Sequence, residues 1–597
     1  MKVNPRQWSC YVILILTGLL VSACGAGRSL LSSGQGENDR APFTQVTPSR
    51  TPFQPSSPTD LPISPSQPFR IESQPLPDPV LETQAAPVLV QPEVPLRTPG
   101  IYLANYLPEA IQQALVLPAG YQFSSDRNEA LLYFEVGQQN PVSRWIYALV
   151  APFPTIPEGV SFSELRGVWQ GASSSSFPDA PLLMDPQTYA VFEAAWGPSA
   201  ANAVKFLPAD DLVAHAWDSR PSWGIIPFED IEPRWKVLEV DGASPIRKGF
   251  DPDSYPLVVS FSINSVFEAG TTLTAEILNL SPDIPKSNRV EGKMTTLAMT
   301  GVTALVRCTA FYMEQRGITY PGQDVRELLR DADITHISNE IPFVQGCPFP
   351  SCFQEGLVFC SDPKYMELLI DIGTDIIELT GDHFADWGSE AMLYTLDLYR
   401  EHGLPYYGGG IDWDEGSRPV ILEHNGNRLA FIGCNGKGGW YATARADNPG
   451  AVSCDFESMH AEISHLRAEG YLPIATFQHF EYYTYLPQPN MQVDFRGMAE
   501  AGAVIVSGSQ AHQPHGMEIT GDSFLHYGLG NLFFDQFGYC PDRACDDAFI
   551  DRHVFYDGRY IATELVPIKF VDWARPRPMT AEEREQFLQI IFAASGW

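Results

Sequence analysis

The stretch Leu379–Gly388, LTGDHFADWG, constrains this chain more than any other. Ile376–Leu379 is a short apolar run, and Ser389–Gly403 has the spacing of an amphipathic helix. Asp382, His383 and Asp386 therefore fall in a strand-to-helix turn, at the carboxyl end of a strand, where open α/β sheets bind ligands. One Asp-His pair alone would read as a solvated, capped turn. Here the pattern recurs: Ala332–Phe343 ends its strand in Ser338-Asn339-Glu340, and Leu472–Tyr483 ends in His479 and Glu481. Ala503–Gly516 ends in Ser509, Gln510, His512 and His515, and Thr295–Arg307 and His526–Gln536 complete the series. Strands alternating with helical stretches such as Asp455–Glu469 and Gln492–Ala501 predict an α/β domain whose strand ends meet at one rim of a sheet.

The order of these motifs over residues 290–597 resembles the CapA family of capsule and poly-γ-glutamate synthesis proteins, whose domain is a calcineurin-like, metallophosphatase-type α/β sandwich. The family's Asn-Leu-Glu-x-Pro is matched by Ser338-Asn339-Glu340-Ile341-Pro342, and its Asn-Asn-His-x-x-Asp-x-Gly by the segment from Gly381 to Gly388. Its His-Trp-Gly maps on His479, its Gly-His-His-Pro-His on Gly508–His512, and its Tyr-Ser-Leu-Gly-Asn-Phe on Tyr527–Leu532. The resemblance implies Glu340, Asp382, His383, His479, Gln510 and His512 as metal-facing residues, with Asp382, His383 and His479 closest to any chemistry and Asn531 in support. The departures are specific. The family's opening Gly-Asp is Gly301-Val302 here, and two histidines are replaced by Ser509 and Gln510. Val302 cannot ligate, and two-metal chemistry needs a bridging carboxylate with ions about 3.5–4 Å apart. The remaining donors suit one divalent ion of Zn²⁺ or Mn²⁺ type, or a pocket that keeps its shape without metal. Two readings stay open: a metal-dependent phosphoester-type hydrolase acting on a surface polymer, and a non-catalytic extracellular binding or sensing protein. His515 and His526 read as structural histidines. Trp387, Tyr407, Trp440, Tyr482, Tyr483 and Tyr485 are candidates either for a saccharide or peptide groove or for the core.

Residues 101–282 predict a separate α/β domain. Leu131–Val136, Trp145–Phe153, Ser222–Phe228 and Trp235–Val240 have strand character, and Pro186–Gly197 and Asp210–Trp217 helical character. The phrasing of Tyr147–Gly171, with Ser222–Ile231 and Ser244–Leu257, resembles the type 2 periplasmic solute-binding proteins, particularly their phosphate-binding branch. Ser173–Ser176 would then offer hydroxyls and N–H groups to a small anion, the alternative being a plain serine loop.

The chain's start and its cysteines speak to where the protein resides. Lys2 and Arg6, the apolar Tyr11–Val21 and Val21-Ser22-Ala23-Cys24 compose a targeting segment over residues 1–24 that resembles a bacterial lipobox, with Cys24 as the lipidated residue; an ordinary secretory signal containing a cysteine is the alternative. Residues 25–100 follow as a Pro/Ser-rich stalk, with 15 prolines between positions 41 and 100 and little to bury. These features predict a lipid-anchored protein on the extracytoplasmic face of a cell membrane. The net charge of −34 argues against nucleic acid as a partner. Past the signal, eight cysteines (308, 347, 352, 360, 434, 454, 540 and 545) lie in the second domain, an even number that suits disulfides in an oxidising compartment. Local closure favours Cys540–Cys545, then Cys434–Cys454; Cys347, Cys352 and Cys360 are too close together for all to pair within one loop.

Overall fold

A computed structural model describes residues 98–265, 270–536 and 540–597. The targeting segment, Cys24 and the stalk up to residue 97 lie outside the described residues. No helix among the described residues is long and apolar enough to cross a membrane.

The first sheet is mixed. Its strands run in the order Gln122–Ser124, Thr98–Leu103, Ala130–Val136, Val258–Ser265, Pro141–Pro152, Trp223–Pro227, Leu182–Met184 and Val204–Phe206, with Trp235–Val240 and Gly159–Val160 attached at the side. Pro141–Pro152 is buried along most of its length, because Trp145–Ala151 is continuously apolar and sheet neighbours cover it on both edges. The helix Pro186–Trp196 starts where the sequence dictates. Asp185 accepts from the Gln187 and Thr188 amides, and proline occupies the first turn.

The second part is a four-layer sandwich. One sheet runs Tyr406–Tyr407, Ile376–Glu378, Ile334–Asn339, Met294–Thr300, Asp547–Tyr556, Arg559–Phe570, Pro576–Pro578; the short strand Val302–Thr303 branches from Ile334–Asn339 and pairs in turn with Asn531–Phe533. The other runs Val420–His424, Asn427–Asn435, Leu472–Gln478, Ile505–Ser507, Ser523–His526, Met517–Thr520. Leu297, Met299, Ile376, Phe431, Ile474, Phe524 and Phe549 fill the space between the sheets. Helices Arg307–Arg316, Met366–Asp371 and Gly388–Glu401 bury Met313, Leu369 and Leu396 against the outer face of the first sheet. Phe456–Ala468 and Pro489–Ala501 bury Ile463 and Phe495 against the second. The α/β architecture expected from the alternation of apolar runs is therefore present throughout.

The two sheet systems share an apolar boundary. Val554, Tyr556, Ile561 and Ala562 belong to the core of the first sheet, and Phe153 packs on Phe524 with ring centroids 5.2 Å apart. Four disulfides brace the sandwich: Cys540–Cys545 and Cys434–Cys454, as local closure favoured, and Cys308–Cys352 and Cys347–Cys360. The crowded loop at residues 347–360 pairs internally once and sends its third cysteine, Cys352, to the helix beginning at Arg307.

Candidate metal centre

The rim of the sandwich gathers its polar residues because parallel strands end there together. Ile334–Asn339 pairs in parallel with Ile376–Glu378 and with Val302–Thr303, so Glu340 and the turn at Asp382 emerge side by side. Glu340, Asp382 and His383 each present one ligand atom, and these atoms lie within 4.8 Å of one another. Glu340 is fully buried, and its Oε2 has no hydrogen-bond partner. An orphaned carboxylate oxygen in such a place is costly unless something positive meets it. The donor set of two carboxylates and one imidazole therefore fits a divalent cation.

Each ligand is held by a neighbour. His383 Nδ1 lies 2.8 Å from Asp386 Oδ2, which also accepts the Phe359 amide at 2.7 Å. A carboxylate only accepts, so Nδ1 carries the proton and Nε2 is left for a ligand. Asp382 and Gln478 form a reciprocal pair: Gln478 Nε2 donates to Asp382 Oδ1 (2.8 Å), and the Asp382 amide donates to Gln478 Oε1 (2.7 Å). His512 Nδ1 donates to Asn531 Oδ1 at 2.9 Å, which turns Nε2 toward Glu340 Oε1 (3.9 Å) and Glu481 Oε1 (3.8 Å). Asn531 thus reaches the rim through His512.

Electrostatics follow from this packing. Burial raises the Glu340 carboxyl above its ordinary value, with His512 and His383 pulling the other way. Burial by itself would lower His383, but the hydrogen bond to Asp386 and the charges of Glu340, Asp386 and Asp382 outweigh it and bring its pKa up to about 9. Glu481 is also pushed upward by burial, yet His512 and Lys437 prevail and hold it down at about 2.

Two of the expected ligands make their hydrogen bonds to other partners. His479 ends its strand as expected, but its Nε2 is 2.9 Å from Asp494 Oδ2 on the helix Pro489–Ala501. Among the described residues, no hydrogen bond or ion pair joins it to Glu340, Asp382 or His383. Gln510 Nε2 donates to Ser338 Oγ at 2.8 Å, while its buried Oε1 has no partner. Ser509 hydrogen-bonds Glu378, a buried carboxylate shared with Thr380 and His336 behind the rim. Val302, fully buried, pairs in register with both Ser338 and Asn531. His526 is indeed a structural histidine, its Nδ1 2.6 Å from Asp551 Oδ2, and buried His515 is pushed down to about 4 by desolvation. Of the aromatics, Tyr407 belongs to the core, whereas Trp440 is 78% exposed and Trp387 41%.

Lys437 and Arg307, which no sequence motif marks, complete the rim. Lys437 Nζ is 3.1 Å from Asp382 Oδ2 and contacts Glu481 Oε1. Arg307, in the left-handed region at φ 44°, donates to Gln536 Oε1 (2.8 Å) and lies over the Phe534 ring, which packs on His512. A non-glycine residue held at positive φ beside a polar pocket is a recurrent companion of functional sites.

The first sheet carries the other candidate, the serine run. Ser174 Oγ (2.6 Å), the Ser175 amide (2.8 Å), Ser175 Oγ (3.0 Å) and the Ser176 amide (3.3 Å) all donate to one oxygen, Glu164 Oε1. The anion cradle exists, and the chain's own carboxylate sits in it.

Residues 296–536 match the family model described as "Bacterial capsule synthesis protein PGA_cap". The capsule biosynthesis protein CapA of Bacillus anthracis is 23% identical over 296 residues, covering 49% of this chain and 71% of that protein. The PGA biosynthesis protein CapA of Bacillus subtilis (strain 168) is 22% identical over 307 residues, covering 51% and 79%. Among solved structures, a 5'-nucleotidase precursor from Thermus thermophilus has a TM-score of 0.30 at 13% identity, covering 50% of this chain and 59% of that one. An ABC-type phosphate transport receptor from Vibrio cholerae has a TM-score of 0.24 at 12% identity, covering 30% and 93%. Likenesses this loose have no bearing on function.

Proposed function

We propose, since residues 296–536 match the capsule-synthesis family model and resemble two CapA proteins, that this chain works in the synthesis, retention or trimming of a capsular or poly-γ-glutamate-type polymer. It does so at the extracytoplasmic face of the membrane, tethered through Cys24, with an anionic polymer or a small anionic ligand as partner and no nucleic acid. The rim acts as a one-metal hydrolase of phosphoester-type linkages. The observation that carries this reading is the convergence of Glu340, Asp382 and His383 around a buried, unpartnered carboxylate oxygen.

A divalent ion there would polarise the scissile oxygen and lower the pKa of bound water. The chain's own residues do the rest. Asp386 and Gln478 fix the orientation of His383 and Asp382. Asn531 aims His512 Nε2 at Glu340 and Glu481, a position from which an imidazole can hold or pass a proton.

Metal analysis combined with phosphodiester and phosphomonoester assays on the wild type and His383→Ala is the test. Bound metal and turnover are expected in the wild type, and loss of both in the variant; unchanged metal content in the variant removes His383 as a ligand. A non-catalytic binding protein is the second reading, favoured by Val302 at the place of the family's opening carboxylate. Metal or ligand binding without turnover on either substrate class would select it.

A further inference from the structure

Lys437 is carried on the turn that follows strand Asn427–Asn435, and that turn is clamped. Asn435 Nδ2 donates to Thr380 O (2.7 Å) and to Gln478 Oε1 (2.6 Å), and its Oδ1 accepts the Gly438 amide. The Gly436 amide donates to Gln478 O at 2.8 Å, and the Cys434–Cys454 disulfide closes the strand end just before the turn. Gln478 is also the residue that orients Asp382. One glutamine therefore fixes both the carboxylate and the turn that brings the ammonium to it.

Asp382 in consequence faces two cation positions. With Glu340 and His383 it forms the three-residue ligand group; through Oδ2 it also holds Lys437 Nζ, which Glu481 grips from the other side. A carboxylate shared between two positive centres is the plan of a two-metal site. Here one centre is an ammonium attached to the chain. Two further observations agree. Glu340 Oε2, fully buried, still lacks a partner, so the lysine does not satisfy the whole cluster. Val302, in register with Ser338 and Asn531, offers no charge, so the carboxylates open to a second cation are Asp382 and Glu481, the two that Lys437 holds. Three carboxylates at the rim, Glu340, Asp382 and Glu481, are then balanced by one ammonium and one divalent ion.

We infer that Lys437 is a resident counter-ion occupying the place of a second divalent ion, so that the rim admits a single ion at Glu340, Asp382 and His383. The inference rests on the one-metal reading of the site. It makes Lys437 a positioning residue that sets metal stoichiometry, rather than a ligand.

Equilibrium dialysis of the full chain against Mn²⁺, with bound metal counted per chain, tests it. The wild type and Lys437→Arg should bind one ion, while Lys437→Met or Lys437→Gln should bind two. Melting curves without metal confirm that each variant is folded, and added Mn²⁺ should raise the melting temperature of Lys437→Met more than that of the wild type. The wild-type count stands independently of any variant. Two ions in the wild type, or equal counts in the wild type and folded Lys437→Met, overturn the inference. Equal counts of one leave the metal reading standing, whereas no bound Mn²⁺ in any variant overturns both.

Discussion

The serine cradle of the first sheet and the rim of the sandwich are built on opposite charges but meet the same difficulty, converging polar groups that need a counter-ion. In the cradle, four donors from Ser174–Ser176 close on Glu164 Oε1. At the rim, Lys437 bridges Asp382 and Glu481, but its single charge cannot balance both, and Glu340 Oε2 remains without a partner. The difference lies in what is left over. A polar cluster completed from within the chain has no unmet charge; one completed in part keeps a charge that an external ion can meet. Convergence of donors or acceptors alone does not make a binding site, since both regions have it.

The largest expected effect is at the rim. Asp382→Asn removes the carboxylate common to both cation positions, and Mn²⁺ affinity should fall by more than about 100-fold, beyond what loss of an outer partner costs. Isothermal titration measures it; an unchanged affinity would break the contrast. Bracing sharpens the contrast next, since every disulfide among the described residues lies in the sandwich. A Cys434→Ser, Cys454→Ser double variant should lose about 3 kcal/mol of stability in denaturant titration. Titration of the denatured, unreduced mature protein should find two free thiols or fewer, Cys24 aside; six or more would contradict the pairing.

The pH dependence of the metal-free protein comes third. His383 is raised to about 9 in the folded state, above its unfolded value. Its contribution is therefore fully present below about pH 6.5 and is lost as pH rises through 9, at most about 3 kcal/mol. Melting temperatures in chelator should fall across that window in the wild type and fall less in His383→Ala. Divalent ions compete for the same imidazole, so metal affinity should climb over the same range. The smallest effect belongs to the cradle. Glu164→Ala should cost about 1 kcal/mol, because the carboxylate is only half-buried. The variant, unlike the wild type, should gain stability on adding inorganic phosphate. A phosphate response in the wild type would remove the distinction between the two regions.

Much of this was legible in the sequence where the signal was local. The turn Gly381–Gly388 and the strand ending in Glu340 announced themselves because an apolar run stops abruptly on acid and imidazole side chains. The pairings Cys540–Cys545 and Cys434–Cys454 followed from short closure. His479 shows where such reasoning stops. Its place at a strand end was readable, but its direction is set by Asp494 on a helix packed over the same strand. Lys437 was invisible for a related reason. A single lysine between glycines has no periodicity, and its partners Asp382 and Glu481 come from distant segments joined only by the sheet. Glu164 filling the serine cradle likewise depends on how a helix lies over a loop.

Anomalous scattering from crystals of the wild-type protein grown with Mn²⁺ tests the central claim most directly. One peak per chain is expected, bounded by Glu340, Asp382 and His383, with Lys437 still against Asp382. Two peaks at the rim, or none there while metal binds elsewhere, would contradict it.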